Sequence, residues 1–304
     1  MEYDLSLIKS GVEETSGFPF ELEITQRIAR RRKAIYWVQP NFSFEDQDEG
    51  EARELDFHAM APIPIGTRRQ KYVFIVVLGS CKNNHNPYVF FTRKRDFPGF
   101  VECDLPMTGN PMEITTNKRI EAIDSYLDLE EIFHVARSRE ICSQFCEIQL
   151  QDKGWKVSSA PVYKSVVLNL IKALSNQTQG QTEEDTSPGN FSYTVYYPLL
   201  VLKGPMFAHH TDEKGKSSVR EVKHVTLIHH HESKTIKCQS AIDCIHESYL
   251  DNYLTMIEKE IQLLINRLVH NQKVILASTQ KNAESKSKNV KRKTGKVGEH
   301  NGST

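Results

Sequence analysis

A nearly unbroken apolar run, Tyr72-Val73-Phe74-Ile75-Val76-Val77-Leu78, lies between Lys71 and Lys82 and constrains the fold more than any other segment. A half-buried strand alternates polar and apolar residues. This run does not, so both of its faces must be covered. Lys71 to Lys82 is therefore predicted to be a central strand with packing layers on either side. Phe18 to Lys33 reads as a helix opened by Gly17 and by Pro19 in its first turn, with Phe20, Ile24 and Ile28 along one face. Ser165 to Ser175 and Glu247 to His270 read as helices. In the second, Leu250, Leu254, Ile257, Ile261, Leu264 and Leu268 form one apolar stripe. That stripe suits packing on a sheet and spans too few heptads for a coiled-coil seam. Leu127 to Leu150 is also expected to be helical. Strands are expected at Ile35–Phe44, Arg53–Ala61, Tyr88–Thr92, Tyr193–Leu202 and Glu221–His230, with an acidic turn from Glu45 to Glu51. This order of elements gives an α/β or α+β fold.

The 304 residues, 38% of them hydrophobic, suffice for one large domain or two small ones. Lys+Arg and Asp+Glu both number 39, so the chain carries neither a strongly basic nucleic-acid coat nor an acidic halophile surface. The charge is unevenly spread. Residues 277–304 hold seven Lys/Arg against two Glu and almost no large apolar side chain. They read as a disordered basic tail that could touch phosphates or merely solubilise. One domain is expected over 1–276, with a polar loop inserted near 177–190. The first residues show no signal-peptide pattern, and no apolar run approaches the roughly 20 residues of a membrane span. The six cysteines form no C-x-x-C pair. A reduced, cytoplasmic protein without a membrane partner is the expected class; oligomeric state is not legible.

Three pieces together suggest chemistry. The first is a carboxylate in the opening helix, within Gly17-Phe18-Pro19-Phe20-Glu21-Leu22-Glu23-Ile24. The second is Arg53-Glu54-Leu55-Asp56. The third is Ser80-Cys81-Lys82 at the end of the central strand, before Asn86-Pro87 and Tyr88. If the strands carrying Asp56 and Lys82 are neighbours, the carboxylate and the ammonium can meet at a strand end. Such a pair can hold a hard divalent cation with its water, which needs only one or two carboxylates besides substrate phosphate. The lysine then orients or deprotonates the water, or neutralises phosphate charge. An ordinary strand-end salt bridge between Asp56 and Lys82 is the competing reading. Glu54 is expected on a solvated face.

The ordered set resembles the PD-(D/E)XK restriction-endonuclease-like superfamily, particularly prokaryotic members that read roughly GFPxExE, REIDxxA and ECKxxxxPW. The matching stretches are Gly17 to Ile24, Arg53 to Ala59 and Cys81 to Tyr88, so residues 17–91 carry the resemblance. It extends more weakly to Tyr197–Leu202 and Ile242-Asp243. The resemblance implies an α/β fold with a restriction-endonuclease-like mixed central sheet flanked by helices. It also implies phosphodiester hydrolysis of nucleic acid with Mg²⁺ or Mn²⁺. Asp56 matches the metal-binding aspartate, Lys82 the catalytic lysine, and the Cys81 carbonyl a backbone ligand. The helix carboxylate, a metal ligand and catalytic residue, is Glu21 or Glu23; Glu21, at the edge of the Ile24/Ile28 face, is preferred. Ser80 departs from the pattern, because it stands where the family places its second carboxylate. Either another carboxylate such as Glu21 or Glu54 completes the site, or cleavage is lost and the fold acts as a nucleic-acid- or protein-binding module.

Two basic clusters could hold a phosphate backbone in such a fold: Arg30, Arg31 and Arg32 at the end of the first helix, and Arg93 and Lys94. For the first cluster, solvating the helix C-terminus is an equally good role. His229, His230 and His231, with His209, His210 and His224, invite a zinc reading. Consecutive strand residues cannot all face one ion, so a polar strand end is preferred. Cys142 and Cys146 are expected to be buried thiols on one face of a helix.

Overall fold

The predicted central strand forms over the expected residues, Lys71–Lys82, and is buried along nearly its whole length. In the computed structural model, which describes residues 4–66, 71–97, 99–100, 102–116, 119–151, 154–158, 163–180 and 191–281, it is the third strand of a large mixed sheet. The strands are β1 (Trp37–Asp46), β2 (Glu51–Pro64), β3 (Lys71–Lys82), β4 (Tyr88–Lys94) and β5 (Met107–Asn110). A small separate hairpin, β6 (Glu113–Thr115) and β7 (Ile120–Ala122), follows. Next come β8 (Glu140–Gln151), β9 (Gly154–Ser158), β10 (Phe191–Leu202), β11 (Met206–Thr211) and β12 (Ser217–Val222). The last two are β13 (His224–Glu232) and β14 (Lys237–His246). The main path runs β1-β2-β3-β10-β14-β13-β8-β4-β11-β12, with β5 on β10 and β9 on β8. β1, β2 and β3 form an antiparallel meander, whereas β3, β10 and β14 are mutually parallel neighbours.

Six α-helices are described: α1 (Leu5–Thr15), α2 (Phe18–Ala29), α3 (Ile123–Tyr126), α4 (His134–Arg137), α5 (Leu168–Gly180) and α6 (Leu250–His270), besides a helical stretch at 272–281. The apolar faces of α2 and α6 cover one side of the sheet. Phe20, Ile24 and Ile28 meet the α6 stripe over Val73, Ile75, Val77 and Cys81. α5 covers the other side, where Leu170, Ile171 and Leu174 pack on Val76, Leu78, Tyr196 and Leu200. The alternation of β3 between these two clusters explains why its sequence has no polar face. The coarse architecture is a mixed α/β sheet flanked by helices.

Close packing at one point depends on a glycine. Phe57 of β2 sits directly opposite Gly79 of β3, and its fully buried ring lies across the glycine. A Cβ at Gly79 would stand 1.8 Å from Phe57 Cζ. Gly79→Ala is expected to cost about 1–3 kcal/mol, as overpacked cores do. A lower urea midpoint at unchanged m-value would show it, and an unaltered midpoint would contradict this packing.

Several expectations need correction. Leu127 to Leu150 is not one helix. It comprises a turn at Asp128, whose φ of 47° is left-handed, a short 3₁₀ turn, the single-turn helix α4 and then β8. The spacing of Ile141, Phe145 and Ile148 imitates a helical face, but β8 is claimed by β4 on one side and β13 on the other. Cys142 and Cys146 are buried thiols as expected, though on a strand. Glu221 to His230 is two strands: Lys223 separates β12, paired with β11, from β13, paired with β14. Residues 277–281, placed in the basic tail, are helical, and Ser278 and Thr279 are buried. The remaining tail, 282–304, and most of the polar loop, 181–190, lie outside the described residues.

Candidate functional site

β2 stays in register with β3 only as far as the Phe57–Gly79 pair. Beyond it β2 turns away. Leu55 faces the α5 layer and Phe57 the opposite layer, so the strand rotates at Asp56 instead of alternating through it. Opposite this point in β1, Asn41 takes a left-handed φ of 51° and leaves the ladder, which resumes at the Phe42–Leu55 pair. The rotation aims Asp56 at the edge that β2 has vacated. Its Oδ2 accepts the Cys81 N–H at 2.5 Å, replacing the lost strand partner. A residue's N–H and C=O leave a strand on the same side, so the Cys81 carbonyl lies on this edge too.

α2 supplies the second carboxylate. Its N-terminus begins at Gly17 with Pro19 in the first turn, and Glu21 sits in that turn, where the helix dipole favours an anion. Asn83 Nδ2 donates to the Ser16 carbonyl at 3.1 Å and ties the exit of β3 to the start of α2. Burial pushes the Glu21 carboxyl up, and repulsion from Asp56 pushes it further, against the pull of Lys82. Burial also raises Asp56, opposed by the Cys81 N–H and by Lys82. The structure thus brings Glu21, Asp56, Lys82 and the Cys81 backbone to one strand end. Glu23, the alternative carboxylate, is exposed and turned toward Arg27 at 3.9 Å. The ordinary salt bridge is not found: Asp56 and Lys82 are electrostatically coupled without closing to ion-pair distance.

Ser80 is buried at 4% exposure, two residues before Lys82 on the same strand face. It presents a neutral hydroxyl where the resemblance calls for a carboxylate. Glu54 is exposed, as expected for a solvated face, yet still couples to both Asp56 and Glu21. Arg53 is structural: it pairs with Asp46 and Glu49 of the β1–β2 turn, and Lys172 of α5 meets the same buried Asp46 at 2.5 Å. Sequence reasoning missed Lys203. Its N–H donates to the Lys82 carbonyl at 3.2 Å and its ammonium lies 5.5 Å from the Phe20 ring centre, beside the site. The signal available was its position immediately after β10.

The two basic clusters are not gathered here. Arg31 lies just past the end of α2, at the opposite end of that helix from Glu21, and its guanidinium is held by Glu258 at 2.7 Å and Thr255 at 3.0 Å. Arg30 donates to Gln26 at 3.2 Å, while Arg32 is exposed. Arg93 pairs with Glu102 at 2.9 Å, and Lys94 is exposed. Both lie at the far end of β4 from Tyr88, where that strand begins beside the end of β3.

A second constellation, on β14, β13, α4 and α6, was also missed. Asp243 accepts from His134 Nε2, His224 Nε2, Thr226 Oγ1 and Tyr253 OH, all at 2.9 Å. His134 Nδ1 donates to Glu260 at 3.0 Å. Burial works against a charge on His134, but Asp243 and Glu260 outweigh it and hold the imidazolium up at about 10. Burial likewise opposes ionisation of Asp243, and His134 and His224 outweigh that, holding its carboxyl well below the usual range. The visible signals were a lone carboxylate in the apolar run Ala241-Ile242-Asp243-Cys244-Ile245 and His224, which the sequence had already offered among candidate zinc ligands. Among the other histidines, His229 accepts from or donates to the Tyr163 hydroxyl at 2.8 Å, and His210 meets the Thr92 carbonyl at 3.2 Å.

Comparison of the chain with protein-family models, with curated proteins and with solved structures gave no match. Among the described residues, no helix is long and apolar enough to cross a membrane.

Proposed function

We propose that this chain is a divalent-metal-dependent phosphodiesterase acting on nucleic acid, with a restriction-endonuclease-like fold and a weakened metal site. The observation that carries the reading is the junction at Asp56. A rotated strand, an open ladder edge and a helix N-terminus converge two half-buried carboxylates on Lys82 without an ion pair to satisfy them. Two carboxylates whose mutual repulsion and burial disfavour their charge are a donor set that a hard cation relieves. Glu21, Asp56 and the Cys81 carbonyl would hold Mg²⁺ or Mn²⁺, which supplies Lewis-acid polarisation of the phosphate and a more acidic bound water. Lys82 would face the phosphate and the attacking water. The basic groups just past α2 and on β4 lie apart from this centre. Any role for Arg30, Arg32 or Lys94 is therefore contact with distant backbone phosphates.

Ser80 favours a second reading, an uncleaving module on the same fold that binds nucleic acid or protein. Losing even an outer partner of a metal ligand costs about 10–100-fold in affinity or activity, and a missing carboxylate ligand should cost at least as much. Incubation of labelled DNA and RNA with Mg²⁺ or Mn²⁺ separates the two. The first reading expects slow cleavage that chelator and Asp56→Ala abolish and Ser80→Glu accelerates. Absence of cleavage in both the wild type and Ser80→Glu rejects it.

A further inference from the structure

His134, His224 and Asp243 come from a short helix and two adjacent strands. One ligand atom of each lies within 4.8 Å of the other two. The two imidazole Nε2 atoms approach opposite oxygens of one carboxylate, each at 2.9 Å. A tetrahedral zinc ion with bonds of about 2.0–2.2 Å sets its ligands roughly 3.3 Å apart, a spacing that falls between the 2.9 Å contacts and the 4.8 Å bound of this cluster. We propose that they form a zinc site, with two imidazoles and one carboxylate as ligands.

The outer partners expected of such a site are in place. A ligating histidine usually gives its other ring nitrogen to a carboxylate, which fixes the tautomer and the ring orientation. His134 does so to Glu260, which is itself held by the His134 backbone N–H at 2.5 Å and the Tyr197 hydroxyl at 3.3 Å. The ligating carboxylate is likewise fixed, by Thr226 on one oxygen and Tyr253 on the other. The His224 ring stacks on Tyr249, with centroids 5.8 Å apart. Asp243 and Glu260 are two buried carboxylates, and a dication answers both charges. Three protein donors leave one tetrahedral position for water or an anion. The His224 side chain, 20% exposed, marks the side that solvent reaches.

This site is separate from the one at Asp56 and does not depend on it. Asp243 pairs with Leu199 of β10, which in turn pairs with Gly79 of β3. Two strand spacings, roughly 10 Å, therefore divide the centres. The donor set contains no thiolate and two imidazoles, which suits zinc and not the magnesium or manganese expected at Asp56.

The test is titration of chelator-stripped full-length protein with Zn²⁺ alone. The proposal expects one saturable site per chain, lost or weakened at least about 10–100-fold in His224→Ala. Binding should be unchanged in Asp56→Ala and in His229→Ala, which reports on the surface histidines of β13. Absence of saturable binding in the wild type overturns the proposal. So does a His224→Ala protein that binds as the wild type does; the cluster would then be a buried ion network only. If circular dichroism shows that His224→Ala does not fold, Co²⁺ in the wild type decides. A strong tetrahedral visible spectrum supports the site, and the pale octahedral spectrum of a hydrated ion overturns it.

Discussion

Replacing Lys82 with methionine is expected to lower metal-dependent cleavage by about 10²–10⁴-fold, the usual contribution of a positioned proton-transfer group. Metal binding should survive. Lys82 is the one cation coupled to both Glu21 and Asp56, yet it closes to ion-pair distance with neither, so its ammonium is not consumed in holding the carboxylates. Methionine keeps the apolar stem at the end of β3 and removes only the charge. The loss should therefore fall on turnover, with the metal concentration needed for half-maximal rate changed little. A Lys82→Met protein that cleaves at the wild-type rate would remove Lys82 from the chemistry. A protein that has lost metal binding instead would make its role the neutralisation of the carboxylate pair.

The second large effect is on stability. Glu260→Gln is expected to destabilise the protein by about 3–5 kcal/mol, the range for breaking a buried ion pair by removing one partner. Glu260 is 2% exposed and receives two donors from His134 and one from Tyr197. Glutamine keeps the shape but leaves the His134 imidazolium buried with one carboxylate fewer. The pH dependence has a definite sign. In metal-free protein the folded-state pKa of His134 is raised, to about 10, above the ordinary imidazole value of 6.5. Its contribution is fully present below pH 6.5 and is lost as pH rises through about 10. Asp243 has the opposite sign: its contribution is present above its usual carboxylate pKa and is lost in acid. Urea midpoints from pH 6 to 10 should fall in the wild type and fall less in Glu260→Gln, where His134 gains less from its proton. Parallel curves would show that Glu260 does not hold that proton.

What could be read in advance followed local pattern. β3 was legible because a strand covered on both faces has no polar register. The α6 stripe was legible because its spacing exceeds anything a strand needs. Asp56 and Lys82 were legible as a pair because strands β2 and β3 are sequence neighbours in a meander, so proximity in the chain became proximity in the sheet. The choice of Glu21 over Glu23 followed from the helical angle to Ile24 and Ile28, and the structure places Glu21 at the site. β8 was misread because Ile141, Phe145 and Ile148 satisfy a helical face as well as a strand between two partners, and only tertiary pairing decides between them. The His134–Asp243–Glu260 network was invisible for a different reason. His134 meets Asp243 across 109 residues of chain and Glu260 across 126, through a parallel β8–β13 pairing that no local signal announces. Arg31 shows the converse error. A basic run looks free in sequence, but α6 supplies Glu258 to hold it.

Calorimetric titration of Mn²⁺ into the wild type, Asp56→Ala and Ser80→Glu most directly tests the central claim, that the Asp56 junction is a metal site. The account predicts weak, saturable binding in the wild type. Binding should disappear in Asp56→Ala and tighten in Ser80→Glu, where a second carboxylate enters the same strand end. Wild-type binding that Asp56→Ala leaves intact, or a Ser80→Glu protein that binds no better than the wild type, would contradict it.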